Sequence, residues 1–226
     1  MKLEIQNLRK NYNTEILKGI SVVLESNKIY SLLGKNGAGK TTFMKILSGQ
    51  IKYNEGMIKF HGDLNHDDIS YTPESGVFLE YLTGHEHLEL IKEMKKLDFN
   101  DSYLSKYAKK FNIYDFWDEL VINYSHGMRH QLSLAMALLT SPKVLLLDEP
   151  LTSLDPINVK FTKDILLDYA DEGNIVIIST HILPIASQLS NDILVLVDGK
   201  FVELKNKYNN KDRDCEFEEK IISLLK

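Results

Sequence analysis

Polar and apolar residues alternate over positions 2–8, which predicts a strand with one buried face. Residues 21–24 and 29–33 predict two more strands, joined by Glu25-Ser26-Asn27-Lys28, where Asn27 suits a left-handed turn position. Residues 40–48 read as a helix closed by Gly49, and 57–60 and 69–72 as short strands. From Gly84 to about Leu120 strand signals fade, and apolar residues recur at helical spacing in charged surroundings, as at Leu88, Ile91 and Met94. Residues 121–124 lead into a helix over 126–140, rich in Ala and Leu and ended by Pro142. Val144-Leu145-Leu146-Leu147 is wholly apolar and of strand length, as a central parallel strand requires.

Asp155 before Pro156 is a helix start, an Asp N-cap with Pro at the first helical position, and Gly173 suits the C-terminal end. Residues 175–179 predict the next buried strand. A hairpin follows over 193–204, turning at Asp198-Gly199. The charged tail from Asp212, with Phe217, Ile221 and Leu225 four residues apart, predicts a terminal helix. Strands alternating with helices imply an α/β domain with a largely parallel sheet, interrupted by a helical insertion.

Composition narrows the class. The chain has 226 residues, enough for one domain with its own core. Its net charge of −5 argues against a nucleic-acid partner, which would favour a basic face. The lysines at 92, 95, 96, 106, 109 and 110 fit solvated helix faces. Cys215 is the one cysteine, so no disulfide framework is possible; with no secretory signal, a reducing cytoplasmic setting is expected. The longest apolar runs, 144–147 and 175–178, fall far short of the roughly 20 residues that span a bilayer.

Gly34-Lys35-Asn36-Gly37-Ala38-Gly39-Lys40-Thr41 matches the phosphate-loop pattern at every fixed position, between an apolar strand and a helix. Its glycines let the backbone N–H groups curl inward on phosphate oxygens, and the following helix adds the positive end of its dipole. Lys40 is expected on the β- and γ-phosphates and the Thr41 hydroxyl on Mg²⁺, with Thr42 beside it in the cradle. By itself the loop specifies a nucleoside triphosphatase and no more. Asp148 and Glu149, directly after the apolar strand, supply a carboxylate for Mg²⁺ and a candidate general base for water. A guanine-reading Asn-Lys-x-Asp is missing; the nearest string, Asn206-Lys207-Tyr208-Asn209, lacks the aspartate.

Between these motifs stands Tyr124-Ser125-His126-Gly127-Met128-Arg129-His130-Gln131. It resembles the signature of the ABC ATPase family, in the Tyr-Ser-x-Gly-Met form of an exporter-associated subfamily, and the resemblance covers nearly the whole chain. It implies that Ser125, Gly127 and Met128 face the γ-phosphate of ATP bound to a second subunit. Ser153-Leu154-Asp155 is similar to the family's D-loop at the dimer interface, and His181 to its switch histidine, which contacts the γ-phosphate and fixes Glu149. Tyr12 resembles the aromatic that stacks on adenine. Glu74 stands where the family usually has a glutamine that meets Mg²⁺, and His126 is an uncommon choice within the signature.

The resemblance implies a P-loop NTPase core with a mainly parallel sheet, an N-terminal antiparallel β part and a helical subdomain insertion. The expected division is one ABC ATPase domain over 1–226. Its core comprises 1–83 and 121–204, its helical subdomain 84–120 and its charged tail 205–226. It further implies ATP and Mg²⁺ as ligands, and a homodimer or heterodimer of ATPase subunits. A separate membrane-spanning permease would hold the chain at the inner face of the cell membrane, with export the expected direction. Ribosome-associated or DNA-repair members are the alternative; their paired domains or long coiled coil do not fit this length. Phe78, Leu79, Tyr81 and Leu82 form an apolar cluster that either meets the permease or packs inside the subdomain. His126 and His130 have chelating i, i+4 spacing but no evident third ligand.

Overall fold

The computed structural model describes residues 1–152, 154–190, 192–205, 219 and 221–224. The chain opens with β1 (Lys2–Asn11), β2 (Glu15–Glu25) and β3 (Lys28–Leu33), then α1 (Lys40–Leu47), β4 (Glu55–His61) and β5 (Ile69–Thr72). Two helices follow, α2 (Gly84–Lys95) and α3 (Asp101–Lys110), before α4 (His126–Leu138) and β6 (Val144–Leu147). The remainder is α5 (Pro156–Asp171), β7 (Ile175–Thr180), α6 (Leu183–Leu189), β8 (Asp192–Val197) and β9 (Lys200–Lys205).

The strands form two sheets. An antiparallel sheet has the order β2-β1-β4, and a six-stranded sheet has the order β5-β6-β7-β3-β8-β9, parallel except for its last pair. The central strands alternate between two apolar layers. Val144, Leu146, Ile175 and Ile177 pack with α1 and the antiparallel sheet, through Phe43, Met44, Leu3 and Ile5. Leu145, Leu147, Val176 and Ile178 face α4, α5 and the helical segment. Burial on both faces explains why β6 and β7 read as unbroken apolar runs.

Helix starts follow local chemistry. Thr83 and Glu86 form a reciprocal capping box on α2, Ser125 caps α4, and Asp155 accepts from the Ile157 and Asn158 amides before Pro156 opens α5. Each such cap stabilises its helix by about 1 kcal/mol. The 198–199 turn has φ of 47° at Asp198 and 75° at Gly199, as the hairpin needs.

Several boundaries differ from the pattern-based expectation. β2 begins six residues before position 21, because the ladder to β1 carries bulges and Gly19 has φ +84°, which resets the alternation. β1 runs on to Asn11 for the same reason, and α4 ends at Leu138 rather than at 140. α6 was not among the expected helices: Pro184 in its first turn suits a helix start, but Ile182 at its N-cap makes no side-chain cap bond, and the helix buries Ala186 and Leu189. In the tail, Ile221–Leu224 is helical and Ile221 is buried against Leu33, Ala186 and Leu204. Glu219 is helical as well, while Phe217, Leu225 and Cys215 of the expected tail lie outside the described residues, as does Ser153. No helix among the described residues is long and apolar enough to cross a membrane.

Candidate functional site

The strand order decides what can meet. β5, β6, β7 and β3 are consecutive parallel neighbours, so their carboxyl ends set Glu74, Asp148-Glu149, His181 and the 34–41 loop side by side. The loop borders a cavity of about 340 Å³ whose wall includes Asn36, Gly37, Lys40, Thr42, Glu74 and Glu149. Tyr12 stands at the same cavity, 58% exposed, with the Lys10 ammonium 4.7 Å from its ring centre. Gly39 turns the loop into α1 with φ +110°, and a Cβ there would stand 2.8 Å from Ile16 Cγ2. Only glycine fits.

Lys40 is buried, and its Nζ donates to the Gly34 carbonyl at 2.9 Å while lying 3.6 Å from Glu149 Oε1. Thr41 Oγ1 donates to Asp148 Oδ2 at 2.6 Å, so the two oxygens expected around Mg²⁺ are neighbours. The other Asp148 oxygen accepts from Ser179 Oγ, and that hydroxyl accepts the Glu149 amide at 2.9 Å. Tyr71 OH also donates to Asp148 Oδ2, at 3.2 Å; burial first, and the carboxylate second, push its phenol well above the ordinary tyrosine range.

Glu149 sits in a left-handed backbone conformation, φ +49°. For a non-glycine residue this costs roughly 1–2 kcal/mol. Its carboxylate reaches His181 Nδ1 at 3.0 and 3.1 Å, and Thr152 Oγ1 donates to it at 3.1 Å. The Asp148 and Glu149 carboxylates, adjacent in sequence, are therefore bonded to different side chains.

The residues expected to form the signature stand elsewhere. Ser125 is exposed and caps α4 by accepting the Met128 amide at 3.2 Å; neither it, Gly127 nor Met128 forms part of the 340 Å³ cavity. Gly127 allows close packing on α5, since a Cβ there would lie 3.0 Å from Asn158 Nδ2. Gln131 donates to Asn158 Oδ1 at 3.1 Å, and Asn158 in turn donates to Asp155 at 2.5 Å. The Asn158 hydrogen bonds hold the Asp155 carboxyl below its ordinary range. His130 shares a 2.9 Å hydrogen bond with Thr162 on α5, so its ring is tied to the neighbouring helix and not to His126. A second, larger groove of about 570 Å³ runs from Asp148 and Glu74 to His126, Arg129 and His130.

Sequence reasoning did not single out Tyr71, Ser179 or Thr152. Only Ser179 had an accessible signal, its place two residues before His181 at the end of a buried strand. The residues of the apolar cluster divide between surface and core. Leu79 and Tyr81 are exposed at 54% and 78%, while Phe78 packs against the core.

Comparison with known proteins agrees with this fold. Residues 17–152 match the family model described as ABC transporter. The lantibiotic transport ATP-binding protein SrtF of Streptococcus pyogenes is 32% identical over 217 residues, covering 93% of each chain. The bacitracin transport ATP-binding protein BcrA of Enterococcus faecalis is 31% identical, over 90% of this chain and 69% of that protein. The solved ATP-binding subunit of an ABC transporter superposes with a TM-score of 0.81 at 24% identity, covering 91% of this chain and 90% of its own. A dimeric ATP-binding cassette in a post-hydrolysis state, bound to ADP and Pi, gives 0.77 at 21% identity, covering 92% and 100%. The chain belongs to the ABC transporter family, as an ATP-binding and ATP-hydrolysing subunit that drives transport.

Proposed function

We propose that two such subunits, identical or related, close head to tail on two ATP molecules and so drive a separate membrane permease, in the export direction. One observation carries this reading: Ser125 and Gly127 stand apart from the phosphate-loop cavity of their own chain, on an exposed helix start. A capped N-terminus with free amides suits an anion, and a second chain could bring one to it. The Tyr-Ser-x-Gly-Met form of the signature supports the exporter-associated subfamily.

In this reading Lys40 leaves Gly34 and Glu149 for the β- and γ-phosphates, and Tyr12 stacks on adenine. Thr41 and Asp148, with Glu74 beside them, would hold Mg²⁺, which neutralises charge on the phosphates; their existing 2.6 Å contact fits that donor set. Glu149 accepts a proton from water as the water oxygen bonds to the γ-phosphorus and the β–γ bridging bond breaks, with ADP leaving. His181 and Thr152 orient that carboxylate. The chain forms a single domain, with 84–120 as its helical subdomain. Through its permease it sits at the inner face of the membrane, with Val77, Leu79 and Tyr81 as the surface for that partner.

Mixing two inactive variants tests the composite site. Lys40→Met and Ser125→Arg chains should each lose turnover alone. Mixed, they should recover part of it, because one of the two sites in a hetero-pair keeps both Lys40 and Ser125. No recovery on mixing, with both chains folded, removes the composite site.

A further inference from the structure

Residues 77–81 form a short ridge with two different faces. Val77, Leu79 and Tyr81 point outward, exposed at 72%, 54% and 78%. Phe78, between them, packs against the core, Glu80 is half-exposed, and both meet Arg129 from another element. Arg129 donates to both Glu80 oxygens, each at 2.8 Å, in a bidentate pair. Its guanidinium also lies 5.7 Å from the Phe78 ring centre. His87, 2% exposed, accepts the Leu79 amide at Nε2 at 3.0 Å, and its Nδ1 pairs with the Thr83 carbonyl at 2.7 Å. The backbone is secured too: Ile122 and Val121 amides donate to the Glu80 and Leu82 carbonyls at 2.9 and 3.0 Å.

Arg129 belongs to the first turn of α4, and its amide donates to the Ser125 carbonyl at 3.0 Å. The residue that grips the ridge is thus one turn from the residue that caps the signature end. Solvent screens the charges, since Glu80 is 44% exposed and Arg129 27%. Bidentate geometry fixes distance and angle between two elements that share no strand or helix.

We propose that the Glu80–Arg129 pair is a positioning strut, which sets the signature end of α4 relative to the exposed ridge and carries displacement of the ridge to Ser125. His87 is its rear support, keeping Leu79 from sliding when the ridge is pushed. The inference rests on the composite-site reading above, since it is there that the position of Ser125 matters.

A double-mutant cycle tests it. In a Glu149→Gln background, Glu80→Gln and Arg129→Gln should each reduce ATP-driven dimer formation about tenfold, and the double variant should be no worse than either. The charge-reversed pair, Glu80→Arg with Arg129→Glu, should recover most of the loss, and nucleotide affinity of the single chain should stay within about twofold. A pair that merely supports folding would lower the melting temperature and leave ATP-driven dimer formation by the folded chain unchanged. Single variants that dimerise normally, or losses that simply add, overturn the strut.

Hydrogen exchange at the Leu79 and Ile122 amides and in the first turn of α4 separates the two ideas. If Glu149→Gln chains never dimerise, the composite site fails. Faster exchange at both places in Glu80→Gln, restored by reversal, still upholds the strut; unchanged exchange refutes it.

Discussion

His181 and Glu149 meet across the ends of two neighbouring strands, with Nδ1 3.0 Å from Oε2. The contact exists because β6 and β7 pair in parallel and both end at this edge of the sheet. If Glu149 is the base, Glu149→Gln should bind ATP yet turn over roughly 10²–10⁴ times more slowly. Dimers should accumulate with Mg²⁺-ATP on a sizing column. Wild-type turnover would strip Glu149 of that role.

Ser179 links the Asp148 carboxylate to the Glu149 backbone, donating to the first and accepting the amide of the second. It is fully buried. Ser179→Ala leaves both groups a partner short, so stability should fall by about 1–3 kcal/mol in urea unfolding. The Mg²⁺ concentration for half-maximal activity should rise as well. An unchanged Mg²⁺ titration would show that Asp148 needs no such support.

At Gly39 the backbone and the space around it agree. Gly39→Ala would force a methyl to 2.8 Å from Ile16 and 3.1 Å from Leu17 at φ +110°. ATP affinity measured by calorimetry should weaken at least about tenfold, since left-handed strain alone costs roughly 1–2 kcal/mol. Binding at wild-type strength would mean that the loop can turn another way.

His130 makes stability depend on pH. Burial first, then the nearby His126, lowers its pKa from the ordinary histidine value to about 4. Between the two values the unfolded chain binds the proton and the folded chain does not. Stability therefore falls as pH drops from about 6.5 to about 4, by as much as roughly 3 kcal/mol from this group. His130→Gln should flatten that part of the urea-midpoint profile. An equally steep profile in the variant would place the loss in other groups.

Much of the fold was legible because its signals are local. The 144–147 strand, the Asp155-Pro156 helix start and the 198–199 turn each depend on a few consecutive residues, and the structure has all three. β2 and α6 were not legible. A bulge at Gly19 breaks the alternation in one, and the other is an uncapped seven-residue helix held by its neighbours.

The phosphate loop is a property of the sequence alone, because eight contiguous residues between a strand and a helix carry its whole chemistry. The same holds for the Ser125 cap, whose acceptor and donor lie three residues apart. Only the tertiary structure decided which oxygens Asp148 shares with Thr41, Tyr71 and Ser179, and that Arg129 reaches back 49 residues to Glu80. Those contacts join residues 31 to 107 positions apart within the site, and spacing along the chain says nothing about them. They follow from the order β5-β6-β7-β3 and the packing of α4 beneath the ridge, which are set by the burial of two apolar sheet faces.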